Sequence, residues 1–147
     1  MGENALIARR WFEQVWVAGG ESAVDRLLAP DATGWLDGRT VRSAIDFKEV
    51  RRRLLHVFPD LAITVEETIE QDRRVAVRWC ATGTHRGDGL GVPPTNRKVT
   101  VRGLSWLELR DGRIVGAWES WSLGPLVQSL REPAGRASSD AESVGLP

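Results

Sequence analysis

Apolar residues recur at helical spacing over the first third of the chain and at every second position beyond it. Between Asn4 and Ala18, the residues Ile7, Trp11, Phe12, Val15 and Trp16 share one side of a predicted helix that Gly19 and Gly20 stop. A shorter helix over Ser22 to Leu28 places Val24, Leu27 and Leu28 together and ends before Pro30, and a brief strand is predicted at Thr33 to Leu36. Ser43 stands where it can cap a third helix, which carries Ile45, Phe47, Val50, Leu54, Leu55 and Phe58 and stops at Pro59. The opposite face of that helix is Arg51, Arg52 and Arg53, which predicts a solvated surface.

Past Pro59 the period becomes two. Leu61, Ile63, Val65 and Ile69 form one alternating series, Val75, Val77, Trp79 and Ala81 a second, and Val99, Val101, Leu107 and Leu109 a third. Asp72-Arg73 and Asp111-Gly112 fall where tight turns join consecutive strands, so the sheet is expected to be largely antiparallel, with Ile114 to Ser122 as its last strand. Helices first and strands afterwards define an α+β fold. Leu104, Trp106, Ile114 and Trp118 are apolar on the face opposite to the inward series, so both faces of the sheet ask for cover. A second copy of the chain is a natural cover, which predicts a homodimer. The alternative is that Trp106 and Trp118 lie beneath a C-terminal helix over Leu123 to Leu130. Residues 132–147 are rich in Pro, Gly and Ser without an apolar period, and are expected to be a disordered tail behind a single domain of residues 1–131.

Composition narrows the function. The 147 residues hold 20 basic and 20 acidic side chains, so no long-range field draws in nucleic acid or an anionic membrane. Charged Glu3, Arg9, Arg10 and Glu13 interrupt any signal-like core near the start, Leu6 occupies the place where a myristoylation signal wants Ser or Thr, and no apolar run approaches the roughly 18 residues of a membrane span. Cys80 is the one cysteine, with no partner for a disulfide and no spacing for zinc, which suits a reducing cytoplasm. Seven Trp and no Tyr complete an unusual aromatic set.

Several segments invite a chemical reading. Gly87-Asp88-Gly89-Leu90-Gly91 suggests a phosphate cradle, but Pro93-Pro94 follows where a helix N-terminus is needed, so it reads as a loop. His56 and His85 are the histidines; the first lies near a helix end and the second opens a long loop, and neither has a sequence-adjacent residue to orient its ring. Glu119 is the stronger candidate. If Val115, Ala117, Glu119 and Trp121 share the concave face, Glu119 is an ionisable group among apolar walls, where burial raises its pKa. The competing assignment pairs it with Arg78 or Arg102 at a sheet edge.

Trp11-Phe12-Glu13, Phe58-Pro59-Asp60, Gly83-Thr84-His85, the loop Gly91-Val92-Pro93-Pro94-Thr95-Asn96-Arg97 and Asp111-Gly112-Arg113-Ile114 together resemble the SnoaL-like polyketide cyclases of the nuclear-transport-factor-2-like (NTF2-like) superfamily, over about residues 5–131. The resemblance implies a cone of about three helices closed by a strongly bent sheet, a dimer, an apolar pocket that binds a small apolar substrate, and no cofactor or metal. It implies an intramolecular aldol ring closure on an aromatic polyketide ester, with Glu119 at the position of the catalytic acid-base aspartate. Trp79 and Trp121 would be pocket walls, with Phe58, His85 and Ser105 as further substrate contacts. The chain departs from the cyclase pattern at Ser105 and Ala117, which match positions of pocket histidines. Related members act as cofactor-independent hydroxylases, and a non-catalytic ligand-binding pocket is the alternative from another class. The absence of Tyr counts against isomerase-like and dehydratase-like members, which hold a carbonyl with tyrosine hydroxyls, and the two aspartates and arginine of an epoxide-hydrolase-like site are not found on the last strands.

Overall fold

The amphipathic segments at the start of the chain become three helices, α1 (Glu3–Gln14), α2 (Glu21–Leu27) and α3 (Ala44–Val57), and a fourth, α4 (Leu123–Arg131), follows the last strand. The six strands are β1 (Leu28–Leu36), β2 (Arg39–Val41), β3 (Ala62–Gln71), β4 (Arg74–Thr84), β5 (Lys98–Arg110) and β6 (Arg113–Ser120). The computed structural model describes residues 2–17, 19–36 and 38–133, so the expected tail lies, from residue 134 on, outside the described residues. One curved, open sheet runs in the order β2-β1-β6-β5-β4-β3, antiparallel throughout except for the parallel pair β1 and β6.

Local chemistry accounts for the element ends. The Ser43 hydroxyl accepts the Asp46 N–H at 3.1 Å and starts α3. No side chain of its own caps α1, and the Glu70 carboxylate reaches across from β3 to accept the Ala5 N–H at 2.7 Å, placing negative charge on a helix N-terminus. α1 ends at Gln14, short of the Ala18 expected, and β1 runs through Pro30 and is longer than the expected Thr33 to Leu36. Two-residue turns join β3 to β4 and β5 to β6; at the second, Asp111 (φ 51°) and Gly112 (φ 79°) both take left-handed conformations, as a twisted hairpin requires.

Packing follows the alternation on the concave side. Val75, Val77, Trp79 and Ala81 of β4 and Leu107 and Leu109 of β5 are buried against α1 and α3, where Trp11 packs tilted against Phe47 at 4.7 Å and Trp16 meets Phe47 edge-on at 5.7 Å.

Four expectations are corrected. A bulge between Val65 and Glu67 reverses which side chains of β3 face inward, so Ile69 is 65% exposed. A second irregularity, between Glu108 and Leu109, sets Ile114 opposite Leu109 and buries it, removing it from the outer face. Ile45 is exposed rather than part of the α3 seam. Arg51 is not solvated: it is buried, its Nε donates to the Val15 carbonyl at 2.6 Å and its guanidinium also donates to Val17 O at 2.7 Å, which satisfies carbonyls where α1 ends. Arg52 and Arg53 are exposed as expected.

Trp106 and Trp118 do not lie beneath α4. That helix packs Leu126 and Leu130 against Val57, Phe58 and Val92, and both tryptophans stay 46% exposed on the outer face.

Candidate active site

Between the concave face of the sheet and the helices lies a cavity of about 720 Å³. Its inner wall is aromatic and aliphatic: Phe12 from α1 and Trp16 from the turn after it, Phe47, Val50 and Leu54 from α3, Trp79 and Ala81 from β4. Trp121 and Phe58, which follow β6 and α3, complete it, while exposed Arg52, Arg53, His56 and Asp88 mark its rim. A pocket of this size and lining suits a small apolar molecule.

Glu119 enters this wall near the end of β6. Its neighbours across the sheet are Ser105 on β5 and Leu36 on β1, and the residue lines both the main cavity and a minor pocket. Burial raises its pKa from 4.5 to about 7, and a hydrogen bond with the Ser105 hydroxyl opposes that rise. No ion pair to Glu119 exists among the described residues. Arg78 points away on the outer face, where it meets Glu67 at 3.2 Å and Glu66 at 3.7 Å, and Arg102 is exposed on that same face. The arginine pairing considered from sequence is therefore not made.

The other expected contacts divide. Trp79, Trp121 and Phe58 line the cavity with Glu119. Ser105 does not reach its wall: it is 2% exposed and accepts the Trp79 indole N–H at 2.9 Å, just behind the carboxyl. His85 is wholly buried beyond Phe58, at 6.0 Å between rings, and does not line the cavity. Its Nδ1 accepts the Thr95 N–H at 3.3 Å with the Thr95 hydroxyl at 3.0 Å, while its backbone bonds Arg97 and Asn96, so it closes the neck of the loop over residues 85–97. Burial pushes its pKa down, which favours the neutral imidazole. His56 meets Asp88 at 2.7 Å and ties this loop to α3 at the rim.

Sequence reasoning missed the part that α1 and the turn after it play in the pocket, because Phe12 and Trp16 look like ordinary core of one helix. It also missed Gly103. This residue pairs with Trp79 across β4 and β5, and a Cβ on it would collide with the indole ring. A glycine inside a strand was the available signal of such close approach. Among the described residues no three His, Cys, Asp or Glu side chains gather to hold a metal ion, and no helix is long and apolar enough to cross a membrane.

Comparison with known proteins agrees with the fold. The sequence profile of the SnoaL-like polyketide cyclase family matches residues 6–130. Among solved structures, a proposed SnoaL-like polyketide cyclase from Jannaschia sp. CCS1 superposes with a TM-score of 0.83 at 22% identity, covering 89% of this chain and 93% of that one. IdmH from Streptomyces antibioticus, a proposed polyketide cyclase, gives 0.73 at 28% identity over 82% and 92%. AclR from Streptomyces galilaeus, a proposed hydroxylase, gives 0.75 at 28% identity over 89% and 98%. No curated protein sequence matches the chain significantly.

Proposed function

The chain belongs to the SnoaL-like polyketide cyclase family, and we propose that it is a cofactor-independent acid-base enzyme acting on an apolar aromatic or polycyclic polyketide-type ketone or ester. The observation that carries this reading is a carboxyl, Glu119, in an apolar cavity with its pKa raised to about 7 and no cationic partner among the described residues. A carboxyl tuned to that value passes a proton in either direction near neutrality.

The reaction is an aldol closure. Glu119 as carboxylate removes a proton from the carbon beside a carbonyl, the resulting enolate carbon attacks a second carbonyl of the same molecule, and the new alkoxide recovers the proton from Glu119. One C–C bond forms and the carboxylate is restored. Phe58, Trp79 and Trp121 hold the flat substrate. The enolate oxygen needs a donor. Of the three indoles that line the cavity, the Trp79 N–H is taken by Ser105 and the Trp16 N–H is sealed off, which leaves Trp121 as the indole donor, its N–H having no partner among the described residues.

The test is hydrogen-deuterium exchange at the carbon beside the carbonyl of an aromatic β-keto ester in D2O, followed by NMR. Wild-type protein is expected to accelerate exchange and Glu119→Gln to lose the acceleration; undiminished exchange in the variant would sink the assignment. A binding-only pocket predicts no acceleration by either protein. The likeness to AclR supports a second reading, in which the same carbanion adds dioxygen instead of an internal carbonyl, forming one C–O bond, and the peroxide anion takes the proton from Glu119 to leave a hydroperoxide; dioxygen uptake during turnover separates the two. We further propose that the protein is a homodimer through the outer face of its sheet.

A further inference from the structure

We infer that Trp79 and Ser105 are positioning residues for Glu119: the indole N–H of Trp79 fixes the Ser105 hydroxyl as a donor to the carboxyl, so one carboxyl oxygen is held by the sheet and the other is left for the substrate. This rests on Glu119 being the acid-base group.

The three residues sit on adjacent strands β4, β5 and β6, with Ser105 directly opposite Glu119. An indole N–H can only donate, and it gives its proton to Ser105 Oγ at 2.9 Å. Ser105 is 2% exposed, so water does not compete for its hydroxyl. With one of its lone pairs occupied by Trp79, the hydroxyl has its proton free for the Glu119 carboxyl directly across the strand pair, and this contact is the one that opposes the rise in the Glu119 pKa. Without the indole, Ser105 could rotate and accept from a protonated Glu119 instead. Trp79 thus sets the direction of the bond.

Gly103 makes the arrangement possible. It faces Trp79 across the strand pair, and its missing Cβ leaves room for the indole to lie over β5 and bring Nε1 to Ser105, two residues further along. A donor aimed at the carboxyl favours its ionised form and directs the transferred proton to the oxygen that Ser105 does not hold. The arrangement therefore governs both the protonation midpoint of the base and which oxygen does the work.

The experiment follows the Glu119 side-chain carboxyl carbon by NMR across pH in full-length protein labelled with carbon-13 glutamate, the signal being assigned by its loss in Glu119→Gln. Ser105→Ala and Trp79→Phe are each expected to raise the Glu119 midpoint above that of wild type, and Trp79→Phe is expected to add nothing once Ser105 is Ala. Ser105→Thr, which keeps the hydroxyl, is expected to restore the wild-type midpoint and serves with Ser105→Ala should Trp79→Phe fail to fold. An unchanged or lowered midpoint in Ser105→Ala, or an equal effect of Trp79→Phe in both backgrounds, overturns the inference. The titration needs no turnover, so its failure leaves the catalytic reading of Glu119 to the exchange experiment.

Discussion

Glu119, the proposed acid-base residue, sits in the fold at a cost to stability. Its folded pKa of about 7 lies above the ordinary 4.5, so between those values the folded state keeps a proton that the unfolded state has released. Stability contributed by this group therefore falls as pH rises through that window, by about 3 kcal/mol in total as an upper figure. Glu119→Gln is expected to be more stable than wild type at pH 8 and to lose that advantage near pH 4, as read by urea denaturation. Equal stability at both pH values would contradict the buried, unpaired carboxyl. The activity of a carboxylate base runs the other way, rising with pH through about 7. Glu119 was legible in the sequence because Val115, Ala117 and Trp121 alternate with it on one face. Its contact with Ser105, and that of Ser105 with Trp79, was not, because each depends on strand register, which alternation alone does not give.

Elements are legible where local chemistry decides them. Ser43 caps α3, and the two-residue turns at Asp72 and Asp111 close the hairpins where the sequence places them. Faces are legible only until a bulge intervenes. The extra residue near Val65 and the one near Glu108 switch the inward set, which is why Ile69 is outside and Ile114 inside. Arg51 escaped for a different reason: three consecutive arginines look alike, and only the tertiary packing sends one of them under α1. Its two bonds to backbone carbonyls join α3 to the end of α1, and hydrogen bonds from a charged donor contribute roughly 1.5–3 kcal/mol each. Arg51→Ala is expected to lower the unfolding free energy by about 3 kcal/mol in urea, whereas Arg53→Ala, at an exposed position, should stay within about 0.5 kcal/mol of wild type. Similar losses in the two variants would show that the Arg51 bonds carry no special weight.

At the scale of the whole molecule, the outer face of the sheet is what a lone chain leaves unfinished. Strand register sets Ile69 beside Ala76, Ala76 beside Trp106, Trp106 beside Trp118 and Trp118 beside Trp35, a single row crossing five strands. Ile69, Trp106, Trp118 and Trp35 are 65%, 46%, 46% and 45% exposed, and Leu104 adjoins the row at 60%. Scattered apolar side chains on a surface need no explanation, but three tryptophans side by side do. A second copy of the same face is self-complementary under two-fold symmetry, which supports the dimer proposed above. The cavity lies on the opposite, concave side, so pairing through the outer face would leave its rim open to substrate. Analytical ultracentrifugation at micromolar concentration is expected to give a dimer for wild type and a monomer for the double variant Trp106→Gln with Trp118→Glu, which puts one charge in the row without setting like charges across from each other. Retained far-ultraviolet circular dichroism in the variant would show that the sheet survives. A monomeric wild type would overturn the dimer and leave the tryptophan row to some other cover, while the pocket and Glu119 would stand unchanged.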